Sequence, residues 1–144
     1  MTWPAPATLD ALKSILEARP AFEGVTVFTG PPGDDAKYTD AVALFGAEGE
    51  EEPITLSGDS VGDTFVVFGS IFARKAGAGE AITKAARDRA SELLEEFEAV
   101  VIEDRTLGGV VMTAELSALD LNQGIEPQVR WAEIRFQIAC GAAS

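Results

Sequence analysis

Between residues 80 and 101 the chain holds an unbroken helical period, and this stretch limits the fold more than any other. Ile82, Ala85, Ala86, Ala90, Leu93, Leu94, Phe97 and Val101 recur at spacings of three and four, which places them on one side of an α-helix. Lys84, Asp88, Glu92, Glu95 and Glu96 fall on the other side, and Lys84 with Asp88 makes a favourable i,i+4 pair. At about 1.5 Å per residue the helix is roughly 30 Å long, enough to cross a whole antiparallel sheet. The rest of the chain reads as the sheet on which it lies.

The 144 residues suit one domain with a moderate core. Hydrophobic residues make up 47% and charged ones 24%, too apolar a balance for a disordered chain. Asp and Glu total 24 against 11 Lys and Arg, giving a net charge of -13, so non-specific grip on a nucleic-acid backbone is disfavoured. The first sixteen residues lack the pattern of a signal peptide, and the longest nearly apolar run, Phe65 to Ala73, is too short to span a bilayer. A soluble cytosolic product with no membrane partner is the expectation. Cys140 is the single cysteine and there is no histidine, so this thiol has neither a disulfide partner nor an imidazole to activate it.

In chain order, Thr8 reads as the N-cap of a short helix with Leu9, Leu12, Ile15 and Leu16 as its apolar stripe, ending before Pro20. Val25 to Phe28 and Ala41 to Phe45 read as strands of a hairpin, with Gly30 to Asp35 as a stiff turn. Residues 47 to 63 contain Glu48, Glu50, Glu51, Glu52, Asp59 and Asp63 and no base, which predicts a solvated loop with room for a short strand at Ile54 to Leu56. Phe65 to Phe72 is apolar on both faces, as in a central strand or one that meets a partner. Arg74 to Gly79 then reads as a flexible basic connector.

After the helix, Val100 to Ile102 is a short apolar stretch and Glu103 to Gly109 a turn. From Val110 the period becomes two, with Met112, Ala114, Leu116 and Ala118 on one face, until Asn122-Gln123-Gly124 interrupts it. The last strand, from about Gln128 to Cys140, directs Ala132, Ile134, Phe136, Ile138 and Cys140 inward and Trp131, Glu133, Arg135 and Gln137 outward. The fold class is α+β: a mixed, mainly antiparallel sheet with a long helix packed on one face and a short N-terminal helix.

Without histidine the sequence has no Ser-His-Asp or Cys-His arrangement and no zinc helix, and the phosphate-binding Gly-x-x-x-x-Gly-Lys pattern is missing. Gly77-Ala78-Gly79 resembles part of a dinucleotide loop, but Ile82 stands where its third glycine belongs. Asp59 and Asp63 lack the spacing of a calcium loop. The expectation is a non-enzyme with no catalytic residues, metal or cofactor.

The order of elements carries a resemblance. A short helix, a hairpin, a central strand, the long helix after Gly77-Ala78-Gly79, and Thr106-Leu107-Gly108-Gly109 opening two long strands resemble the tail terminator (tail completion) proteins of long-tailed bacteriophages. The likeness is clearest from Glu80 through Ala139, while the acidic run at 48 to 52 has no match in the family. The resemblance implies a structural virion protein whose copies form a hexameric ring at the head-proximal end of the tail. Such a ring caps the tail tube, stops its growth and gives the head connector, or head completion protein, a docking face. Its sheet builds the ring, loops project into the lumen, and DNA passes through without specific binding.

A ring needs heterologous contacts, in which one patch on each subunit meets a different patch on the next. The basic segment with Arg74, Lys75, Arg87 and Arg89 and the acidic segment with Glu50, Glu51 and Glu52 are candidates. Trp131 is another, either as a contact or as a cover over the sheet edge. The alternatives are a neighbouring head-to-tail adaptor, a tail tube subunit, or an acidic DNA mimic.

Overall fold

The computed structural model describes residues 3–33, 38–50 and 64–141, residue 50 by its backbone alone. The elements in order are α1 (Ala5–Ala18), a 3-10 turn (Pro20–Phe22), β1 (Thr26–Phe28), β2 (Asp40–Glu50), β3 (Thr64–Ala76), α2 (Glu80–Glu103), β4 (Thr113–Glu126) and β5 (Val129–Gly141). The strands form one sheet in the order β1-β2-β3-β5-β4, in which only the β1–β2 pair is parallel. Both helices lie on the same face. The expected α+β class holds: a mixed, mainly antiparallel sheet, with the long helix packed across β5 and β3.

Helix α2 buries Ala86, Ala90, Leu93, Phe97, Val100 and Val101; of the stripe read from the sequence Ala85 is instead exposed, and Ile82 and Leu94 are half-buried. Val100 to Ile102 is therefore helical and not a separate stretch. Phe97 meets Phe136 of β5 with ring centroids 4.7 Å apart. Phe136 in turn lies across Gly69 of β3, where an added Cβ would come within 2.5 Å of the ring. A side chain at 69 would thus lift the ring out of the layer that α2 covers. Leu12 and Leu16 of α1 complete this core with Val42, Leu44, Phe65, Val67 and Ile71, all sealed from water. Full burial of each large apolar side chain contributes roughly 1.5–3 kcal/mol.

The helix ends are fixed locally. Gly79, with φ 95°, precedes α2 in a conformation that a side chain would strain. At the other end Asp104 accepts bonds from the Thr106 amide and hydroxyl and from the Gly108 amide. These hold its carboxyl below the usual range, the Thr106 hydroxyl foremost. They also support the left-handed run Leu107, Gly108 and Gly109, with φ of 50°, 77° and 90°, which turns buried Leu107 back into the core. Arg19 donates both terminal nitrogens to Glu103, at 2.7 and 3.1 Å, tying the ends of α1 and α2 together.

Several sequence expectations change. Helix α1 begins at Ala5 after Pro4, and Thr8 is an interior residue whose hydroxyl donates to the Pro4 carbonyl. Proline is well suited to a first helical turn because an amide there has no partner to lose. Residues 25–28 and 41–45 form no hairpin: β1 runs parallel to β2, and the hairpin partner of β2 is β3. The acidic residues Glu48 and Glu50 belong to strand β2, while Glu51, Glu52, Asp59, Asp63 and the expected strand at Ile54 to Leu56 lie outside the described residues. Arg74 and Lys75 are strand residues of β3 and not a connector. Strand β4 starts at Thr113 and continues through Asn122-Gln123-Gly124 to Glu126, so the β4–β5 turn is only Pro127-Gln128. Met112 lies before β4 and is 69% exposed.

Candidate functional site

Among the described residues no helix covers the second face of the sheet. Strand alternation assigns to it Phe68, Ser70, Phe72 and Arg74 from β3 and Trp131, Glu133, Arg135 and Gln137 from β5. The ladder builds rows across the strands: Glu48–Val66–Ala139–Glu115, Ala43–Ser70–Arg135–Asp120, and Ala41–Phe72–Glu133–Asn122. A bulge at Phe45 brings that ring to within 6.5 Å of Phe72. Tyr38 packs between Phe28 and Phe72 at 5.7 and 5.8 Å, with the Arg74 guanidinium 5.9 Å above its ring. The open face is therefore an aromatic floor at the β1–β3 side with charges along β5 and β4.

Two small hollows indent this floor. One of about 290 Å³ is lined by Phe45, Phe68, Ser70, Asp120 and Arg135, among others. The Ser70 hydroxyl beneath is buried without a hydrogen-bond partner among the described residues. The other, about 200 Å³, lies between Tyr38, Phe72, Arg74, Glu126, Trp131 and Glu133. A larger hollow of about 700 Å³ opens at the end of the sheet where β2 finishes and β3 begins. Its walls include Glu48, Val66, Phe68, Glu115 and Ala139.

The residues expected to act together have separate surroundings. Arg89 binds Asp40 of β2 at 2.9 Å and Glu92 at 3.4 Å, and its pKa is raised chiefly by the Asp40 bond. Arg74 is paired with Glu126 of β4. Arg87 comes no nearer than 3.9 Å to a carboxylate, that of Asp88. Lys75 stands opposite Arg130 in the β3–β5 ladder, and neither has a carboxylate partner among the described residues. Trp131 lies on the open face over Gly124, where an added Cβ would meet the indole at 2.1 Å. Of the acidic set only Glu50 is described, at the end of β2.

Sequence reasoning missed Tyr38, Phe45, Glu115 and Arg130. The even-numbered apolar residues of β3 were the available signal, since a strand apolar on both faces needs a cover on both. Cys140 is buried, which pushes its thiol up to about 11 and makes it inert at neutral pH. Among the described residues no helix is long and apolar enough to cross a membrane, and no group of His, Cys, Asp or Glu is arranged to hold a metal.

No protein-family model matches the chain, and no curated protein matches it. Among solved structures the chain is similar to one chain of the virion of a native gene transfer agent particle, at 14% identity and a TM-score of 0.44. That match spans 93% of this chain and 94% of the other.

Proposed function

We propose that this chain is a structural protein of a phage-like virion, one of a ring of copies that caps the tail tube, ends its growth and presents a face to the head connector. The observation that carries this reading is the sheet itself. One face is finished by helices, while the other keeps Tyr38, Phe45, Phe68, Phe72 and Trp131 in a partly open floor, as in a subunit completed by neighbours. The short helix, the long helix after Gly77-Ala78-Gly79 and the two long strands after the Thr106–Gly109 turn support the tail terminator reading, while the hairpin it included at residues 25–45 does not form. The surplus of negative charge suits a channel through which DNA slides without sticking. In this role the protein needs no catalytic group, metal or cofactor; its partners are copies of itself, the tube protein and the connector.

Immunogold labelling of particles tests the location: label at the neck supports the cap, and label confined to the capsid shell or the distal tip rejects it. Solution mass and imaging of the purified protein test the ring, for which six copies are expected.

A further inference from the structure

We propose that the 700 Å³ hollow at one end of the sheet receives the opposite end of a second copy of this chain, Lys75 and Arg130 entering between Glu48 and Glu115. This deepens the ring reading above and rests on it. Glu48 and Glu115 stand at the two ends of one ladder row, with Val66 and Ala139 between them as an apolar floor. Both carboxylates are exposed, and neither has a basic partner among the described residues. The adjoining sequence from 51 to 63 contains no Lys or Arg to supply one.

Two cations without carboxylates among the described residues, Lys75 and Arg130, lie at the far end of the same strands; Arg105, the third, donates to the Ala114 carbonyl. Arg19, Arg74, Arg89 and Arg135 are held by Glu103, Glu126, Asp40 and Glu133. Lys75 and Arg130 are not, and Arg130 donates only to backbone carbonyls of Glu126 and Val129. The row of Glu48 and Glu115 crosses β3 at Val66, nine residues before Lys75, so about 30 Å separates the two sets of charges at roughly 3.3 Å per residue. Screening acts over about 8 to 10 Å, so the ends of one copy cannot neutralise each other. Those of two copies can. The aliphatic stems of Lys and Arg suit the apolar floor while their heads meet the flanking carboxylates. Two different patches meeting head to tail make a heterologous contact, which closes into a ring when the rotation between copies permits.

The test uses the full-length protein at low salt, sedimentation velocity for association, and circular dichroism for the fold. One variant carries Glu48→Lys and Glu115→Lys, the other Lys75→Glu and Arg130→Glu. Each alone should weaken self-association about tenfold or more. An equimolar mixture should restore it, because each reversed end then faces its complement at both junctions. Unchanged association in both variants overturns the contact and leaves the ring reading standing. So does a mixture that fails to recover. Reversal of Glu48 and Glu115 that lowers the unfolding midpoint without changing association means that the chain's own residues fill the hollow, and the proposal falls. A wild-type protein that stays monomeric at low salt also overturns it, whereas neck labelling judges the tail role separately.

Discussion

On the helix side of the sheet Phe65, Phe97 and Phe136 are sealed from water, while on the other side Phe45 keeps 37% of its surface exposed and Phe68, Phe72 and Trp131 are only partly covered. The residue types are alike and the strands are the same, so alternation alone does not set their fate. The difference lies in what crosses each face. Helix α2 provides Leu93, Phe97 and Val101 to interlock with β5 and β3, whereas among the described residues the open face has its own rings lying against one another. A ring on the covered face contributes to folding. One on the open face is left to contribute to association.

The largest test of that contrast is truncation of one ring on each side. Phe97→Ala should cost about 3–5 kcal/mol in urea unfolding, because its cavity is enclosed on every side. Phe45→Ala should cost less than about 1 kcal/mol and lower the self-association of the native protein instead. Equal losses of stability would erase the distinction between the faces.

A smaller effect separates two arginines that the sequence treats alike. Arg89→Ala removes the partner of Asp40, whose second carboxylate oxygen has none among the described residues, and should cost roughly 1–3 kcal/mol. Arg87→Ala, on an exposed stretch of the same helix, should stay within about 0.5 kcal/mol. A matching loss at both positions would mean that the Arg89–Asp40 bond adds nothing to stability. The same comparison revises the expected interface: Arg89 is engaged within its own chain, and Arg87, Lys75 and Arg130 remain for a neighbour.

The pH dependence comes next in size. Asp104 and Glu103 have lowered pKa values, so the stability they add is present at neutral pH and is lost as pH falls through their folded values. Asp104→Asn should flatten the acid limb of a stability profile. Cys140 acts with the opposite sign: its thiol is raised to about 11, so its contribution is intact below about 9 and is lost as pH rises towards 11. Cys140→Ser should remove that alkaline limb, and native Cys140 should react with iodoacetamide only as fast as the chain opens.

The smallest effect is optical. Gly124→Ala places a methyl group where the Trp131 ring lies, so the indole must swing outward, with a red-shifted emission and a loss of at most about 1 kcal/mol. An unchanged spectrum would show that Trp131 does not rest on Gly124.

Much of the helix side was legible in the residues, because a period of 3.6 over residues 80–101 has one physical solution. The inward row from Ala132 to Cys140 was equally plain, since alternation fixes a face once one side is buried. The ends of elements were less legible. The turn signal at Asn122-Gln123-Gly124 is overridden by the ladder, where Gly124 is the space that Trp131 fills. The acidic residues of β2 look solvated in sequence, yet backbone pairing with β3 holds Glu48 in a strand, because a ladder satisfies amides whatever the side-chain charge.

The sequence by itself determined the helix, its buried stripe, the α+β class and the surplus of negative charge, all of which depend on local periodicity or on composition. Only the tertiary structure decided that β1 runs parallel to β2, that Arg89 closes on Asp40, and that Glu48 and Glu115 flank one hollow while Lys75 and Arg130 share the other end. Those pairings join residues far apart in the chain. Strand order and register set them, and no local pattern of side chains records either.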